Sequence, residues 1–232
     1  MKPVIFSCEG PVLTDEERQF FKTENPLGFI LFARNVEAPD QLQNLIRDLR
    51  DSVNRQDAPV LVDQEGGRVQ RLRSPHWYEA PSFGRIGALY DLDPEKGREA
   101  ARLATQLISV DLMEAGFSVN CSPCLDLSFP ETSSVIGDRS FHRDPAVVAE
   151  LAAIVAETYM DAGIMPVIKH MPGHGRALVD SHIELPTVTA EQSDLSENDF
   201  APFKSLSHIP WGMTAHIVFE DIDPCRPATQ SF

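Results

Sequence analysis

Asp161-Ala162-Gly163-Ile164-Met165-Pro166-Val167-Ile168-Lys169-His170-Met171-Pro172-Gly173-His174-Gly175 reads as a helix exit, a strand and a loop in succession. Gly163 stands between a helix end and a strand start, where a left-handed C-cap suits glycine. Ile164 to Ile168 is a short apolar run, the pattern of a strand covered on both faces. Pro172, Gly173 and Gly175 then shape a loop that is neither helix nor strand. The loop continues to Asp180-Ser181-His182, so that three of the seven histidines fall within one short window. A buried strand that ends in Lys-His and opens into such a loop has the form of an active-site rim, because loops on a rigid scaffold carry function.

The same unit recurs along the chain. Glu114-Ala115-Gly116-Phe117 repeats the helix exit, and apolar runs occur at Val4–Cys8, Gly28–Phe32, Pro59–Asp63, Phe117–Cys121, Met165–Lys169 and Gly212–His216. Between the second and third runs, Leu42, Leu45, Ile46, Leu49 and Val53 recur at helical spacing. A longer helix is expected from Glu95 to Ala115. Another opens at Pro145, a residue suited to a first helical turn, and runs to about Ala162. Repeated β-then-α units predict a parallel sheet, either a barrel or an open doubly wound sheet. Asp63, Asp126, Lys169-His170 and His216 all fall at the C-terminal ends of different strands, the face on which a (β/α) barrel collects its chemistry. Gly10-Pro11 and Gly66-Gly67 match neither dinucleotide nor P-loop spacing.

The expected fold is therefore α/β, a TIM-like (β/α)8 barrel that is incomplete, with about six of eight strands. Residues 1–232 are expected to be a single barrel catalytic domain, truncated before the last two strands. Segment 64–94 is read as a long loop that adds no strand. Six strands do not close an eight-stranded barrel, so exposed sheet edges and aggregation are expected of the isolated chain.

Composition narrows the function. The chain has 232 residues, 42% of them hydrophobic, and a formal net charge of −15. Nucleic-acid binders need clustered positive charge, so nucleic acid is not an expected partner. The start Met1-Lys2-Pro3-Val4-Ile5-Phe6-Ser7-Cys8-Glu9 lacks the h-region of a signal peptide, and no window has the length of a membrane span. The four cysteines do not suggest a disulfide framework, and Cys121-Ser-Pro-Cys124 reads as two reduced cysteines. A cytoplasmic protein without membrane partners is expected.

Several segments together resemble a known family. Val62-Asp63-Gln64-Glu65-Gly66-Gly67-Arg68-Val69-Gln70-Arg71, Val135-Ile136-Gly137-Asp138-Arg139-Ser140-Phe141, Lys169 to Gly175, Asp180-Ser181-His182 and Met213-Thr214-Ala215-His216 follow the order found in glycoside hydrolase family 3. Within it they resemble the β-N-acetylglucosaminidases of bacterial cell-wall recycling, the NagZ type. The resemblance implies a retaining hydrolase that removes terminal β-linked N-acetylglucosamine from muropeptide-type substrates through a glycosyl-enzyme intermediate. It implies that His182, paired with Asp180, is the acid/base. Histidine suits that task because it titrates near neutral pH, and Asp180 would orient its ring. Asp63 is implied to accept from sugar hydroxyls, with Arg71, Arg139, Lys169 and His170 donating to hydroxyl and acetamido oxygens. His174 is given a loop-shaping role, and it and His216 are possible pocket-lining residues. No cofactor or metal is implied. The family's nucleophile sits in a segment like Ser-Asp-Asp-x-x-Met after the next strand. This chain shows no such segment, and Asp221 and Asp223 fall where the family carries non-catalytic residues, so the 232 residues alone are expected to be inactive.

Three alternatives stay open on the residues themselves. His170, His174, Asp180, His182 and His216 could be ligands of a metal-dependent hydrolase, although neither H-x-H after the first strand nor H-E-x-x-H occurs. The chain could be a non-catalytic sugar-binding remnant. Phosphate could replace water as the acceptor, since a histidine acid/base repels it less than a carboxylate does.

Overall fold

The computed structural model describes residues 1–129, 135–179 and 184–231. Its strands are β1 (Lys2–Phe6), β2 (Pro26–Leu31), β3 (Val60–Val62), β4 (Gln64–Gly66), β5 (Val69–Gln70), β6 (Val119–Asn120), β7 (Met165–Met171), β8 (Thr187–Val188), β9 (Trp211–Thr214) and β10 (Val218–Phe219). Six of them form one sheet in the order β1-β2-β3-β6-β7-β9. Every neighbouring pair in it is parallel. The sheet curls as part of a (β/α)8 barrel, and its strands lie within a few residues of the six apolar runs in the sequence.

Alternation along each strand builds two cores. Val60 and Val62 face the helices, in a layer with Phe29, Leu31, Leu45, Leu49, Leu112 and Val155. Leu61, between them in sequence, joins Val119, Cys121 and Val167 on the concave face, against partly buried Ile30, Trp211 and Met213. Both faces of the strands are covered, which explains why they read as continuous apolar runs.

The helices are α1 (Asp15–Glu24), α2 (Pro39–Ser52), α3 (Phe83–Leu92), α4 (Pro94–Ala115), α5 (Pro145–Asp161), α6 (Gln192–Glu197) and α7 (Ala201–Ser205). Their ends are set by short-range chemistry. Asp93 caps α4 by accepting from the Lys96 N–H, with Pro94 in the first turn, and Gly116 ends it at φ 97°. Asp144 caps α5 in the same way through Ala146, and Gly163 follows at φ 79°. Leu151, Ala152, Val155, Ala156 and Tyr159 of α5 are completely buried. Each large aliphatic among them contributes about 1.5–3 kcal/mol by leaving water.

Segment 64–94 differs from the expectation of a strandless loop. It holds the antiparallel hairpin β4–β5 and the helix α3. The strands are too short for a periodic apolar signal. Side-chain amides define them instead: Gln64 Oε1 accepts from the N–H groups of Arg71 and Leu72 at 2.8 and 3.0 Å. The Gln70 amide holds Leu72 and Tyr78 by their carbonyls. No helix among the described residues is long and apolar enough to cross a membrane.

Candidate active site

Asp63 follows β3 directly, and Glu65 lies two residues on in β4, so extended backbone turns both carboxylates the same way. Lys169 reaches them from the far part of β7. Its Nζ lies 2.8 Å from Asp63 Oδ1 and 2.6 Å from Glu65 Oε1. Arg71, brought back by the Gln64 amide, places Nη2 3.1 Å from Asp63 Oδ2. Arg139 forms a fork on Glu65, with Nε 2.9 Å from Oε2 and Nη2 2.8 Å from Oε1. Three cations thus share two carboxylates in a site that is nearly closed to solvent. Lys169 is 1% exposed and Glu65 2%.

The charges fix one another. Burial pushes the carboxyls of Asp63 and Glu65 up, yet Lys169, with Arg71 or Arg139, holds both below their ordinary range. Lys169 behaves inversely: burial lowers its ammonium, and Glu65 and Asp63 raise it above its ordinary value by more. These shifts favour the charged forms of Asp63, Glu65 and Lys169.

His170 completes the arrangement. Its Nδ1 lies 2.6 Å from Oδ2 of the fully buried Asp126, and its Nε2 lies 3.3 Å from Arg139 Nη2. The pairing of β7 with β9 shifts register between Lys169 and Met171, a bulge of the kind that re-aims side chains beside sites. Asp126 also accepts from the backbone N–H of His174 at 2.6 Å and from the Cys124 thiol at 3.1 Å. The strand end and the start of the following loop therefore hang on one carboxylate. Gly175 is required there: a Cβ would lie 2.4 Å from the Leu127 carbonyl oxygen.

The structure brings Asp63, Arg71, Arg139, Lys169 and His170 into a single network. His174 sits beneath it, 4% exposed, with its ring edge-on to His170 at 5.7 Å. Its anchoring to Asp126 fits a role in shaping the loop. His216 is exposed and hydrogen-bonds Thr229 Oγ1 at 2.7 Å. Asp180 and His182 lie outside the described residues. Asp221 accepts from the Gln192 N–H at the start of α6, and Asp223 from the Cys225 N–H and Ser231 hydroxyl, so both are engaged in structural contacts.

Two groups central to the network, Glu65 and Asp126, are given no site role in the sequence reading. Glu65 was detectable as the i+2 neighbour of Asp63. Asp126 was visible only as a polar residue after an apolar run, with nothing to say what it holds. The histidines of the metal-site alternative do not converge among the described residues. The one group of three potential ligands there is Cys124, Asp126 and His170. Burial holds the Cys124 thiol well above its ordinary pKa, so it is a protonated donor to Asp126. A cavity of about 740 Å³ borders α3 and is lined by Gly67, Ser82, Arg85, Asp138, Ser140 and His142, none of them in the network. Asp138 is paired with Arg68, and His142 with Asp91, at its exposed rim.

A family model described as the glycosyl hydrolase family 3 N terminal domain matches residues 9–232. The β-hexosaminidase of Alkalilimnicola ehrlichii is 39% identical over 231 residues, covering 99% of this chain and 65% of that protein. The β-hexosaminidase of Thioalkalivibrio sulfidiphilus is 39% identical over 232 residues, covering 99% of this chain and 66% of that protein. NagZ from Neisseria gonorrhoeae, solved in complex with N-trifluoroacetyl-D-glucosamine, superposes with a TM-score of 0.91 at 33% identity. The match covers 97% of this chain and 66% of that one. The chain thus spans just under two thirds of the length of these curated relatives.

Proposed function

The chain belongs to glycosyl hydrolase family 3, and on that premise we propose that it holds N-acetylglucosamine for a retaining β-N-acetylglucosaminidase acting on muropeptide-type substrates in peptidoglycan recycling. The observation that carries this reading is the Asp63–Lys169–Glu65–Arg139–His170 network at the strand ends. Polar groups that already hold one another in place meet a sugar without reorganising, which is how preorganised polar sites select hydroxyl patterns. The bound N-acylglucosamine named for the Neisseria structure supports a ligand of this class.

In this mechanism a carboxylate attacks the anomeric carbon to form the glycosyl-enzyme. His182 protonates the leaving oxygen and then takes a proton from water, with Asp180 orienting its ring. Asp63, Arg71, Arg139, Lys169 and His170 hold the sugar. The engagement of Asp221 with the start of α6 and of Asp223 with Cys225 and Ser231 argues against either as the attacking carboxylate.

Calorimetry with N-acetylglucosamine tests the reading. Arg139→Lys removes the fork on Glu65 and the contact with His170, and is expected to weaken binding about tenfold, since a point charge does not replace a planar two-bond donor. Unchanged affinity in a folded Arg139→Lys protein, or no binding by the parent, would overturn it. Where the protein turns over an aryl N-acetylglucosaminide, His182→Ala is expected to lower kcat about 10²–10⁴-fold.

A further inference from the structure

We infer that Asn120 is a positioning residue of the site. Its side-chain amide clamps the backbone of Gln64 by both N–H and C=O, and so aims the two flanking carboxylates, Asp63 and Glu65. The identity of the ligand rests on the sugar-holding reading; the clamp itself does not.

The clamp begins where the pairing of β3 with β6 ends. Val62 lies opposite Asn120 in that parallel pair, and the Cys121 N–H reaches the Val62 carbonyl at 2.8 Å. The chain then turns, with the Ser122 N–H donating back to the Asn120 carbonyl at 2.8 Å. From there the Asn120 side chain carries the contact onward. Its Oδ1 accepts from the Gln64 N–H at 3.0 Å, and its Nδ2 donates to the Gln64 carbonyl at 2.9 Å. That N–H belongs to the peptide joining Gln64 to Asp63, and that C=O to the peptide joining it to Glu65. Both peptide planes beside residue 64 are therefore tied to β6.

A carboxamide suits this task because it presents a donor and an acceptor side by side, as a peptide does, whereas a carboxylate offers acceptors alone. Asn120 and Gln64 are both 0% exposed, so solvent does not compete for either bond. Gln64 passes the constraint on through its own side chain. Its Oε1 takes the N–H groups of Arg71 and Leu72, and Arg71 Nη2 reaches Asp63. Asp63, Glu65 and Arg71 thus all depend on residue 64, and residue 64 depends on Asn120. Lys169 Nζ sits 2.8 Å from one of the two carboxylates and 2.6 Å from the other, so their alignment also fixes the cation. A rotation of either peptide would part these groups. Asn120 itself is buried behind them and touches no ligand.

In the parent protein, a ¹⁵N–¹³C coupling across the hydrogen bond from Asn120 Nδ2 to the Gln64 carbonyl tests the clamp by NMR. The Cys121–Val62 bond is the internal reference, and a coupling seen there but not at Asn120 overturns the inference. Asn120→Leu is close in shape and removes both bonds. It is expected to weaken N-acetylglucosamine binding at least about tenfold, the equivalent of one lost hydrogen bond. It is also expected to broaden the Lys169 ammonium signal, which the two carboxylates hold in place. Leu151→Ala, a cavity in the helix layer, separates positioning from general loss of stability. It should lower the melting temperature yet keep the parent affinity and the Lys169 signal. A folded Asn120→Leu or Asn120→Ser protein with parent affinity and Lys169 signal overturns the inference, as does an equal loss of both in Leu151→Ala. If neither Asn120 variant folds, the parent coupling decides. A parent that shows the clamp and the Lys169 signal but binds no N-acetylglucosamine would instead count against the sugar reading.

Discussion

Lys169 and Glu65 meet at 2.6 Å with side chains only 2% and 1% exposed, an ion pair between groups 104 positions apart in the chain. Burial penalises each charge alone, so the pair persists because Asp63 and Arg139 supply further contacts. Removing one partner leaves a buried charge uncompensated. Lys169→Met is therefore expected to destabilise the fold by about 3–5 kcal/mol in urea denaturation. Adding Glu65→Gln should cost less than the sum of the two single changes, by about 0.5–3 kcal/mol. Strict additivity would show that the contact contributes nothing to the folded state.

Acid should unfold the protein in two stages. Asp126 is held well below the ordinary carboxylate range against burial, chiefly by His170 and the His174 N–H, and Asp63 and Glu65 are also lowered. A lowered carboxyl binds its proton less readily folded than unfolded. Its contribution is complete above the unfolded value of about 4 and disappears as pH falls below it. Burial lowers His174 by more than Asp126 raises it, so its contribution is complete above about 6.5 and falls below that. Urea midpoints measured against pH should be flat between about 6.5 and 8, and on acidification decline gently, then steeply below about 4. His174→Gln should abolish the gentle step; a profile that starts to rise on acidification contradicts the assignment.

Gly175 tests the loop. It is not in the left-handed region, so only the contact with the Leu127 carbonyl excludes a side chain. Gly175→Ala is expected to cost about 1–3 kcal/mol of stability through the forced backbone shift. A thermal melt matching the parent would show that the loop is not packed on residue 127.

The four cysteines should separate cleanly by reactivity. Cys8, Cys121 and Cys124 are buried and Cys225 is exposed. Burial, reinforced by Glu17, pushes the Cys8 thiol up to about 11, and burial with Asp63 pushes Cys121 up to about 12. Near neutral pH a chromogenic disulfide should label Cys225 alone, and all four only after denaturation. Rapid labelling of Cys121 or Cys124 in the native protein would contradict their burial.

The layered architecture is legible from local signals in the sequence. Short apolar runs, glycine exits at Gly116 and Gly163, and proline starts at Pro94 and Pro145 act over a few residues, and no distant contact is needed to read them. The sequence also marked the residues of the candidate site, because polar residues at strand ends share one face of a parallel sheet. The hairpin β4–β5 was not legible, since buried glutamine amides rather than periodicity hold it. The state of the groups in the site, by contrast, is set by long-range packing. Lys169 finds Asp63 and Glu65, and His170 finds Asp126, across more than forty residues of chain. Charge, tautomer and hydrogen-bond direction depend on which atoms lie within about 3 Å, and that is fixed by the packing of the strands rather than by any local run of residues.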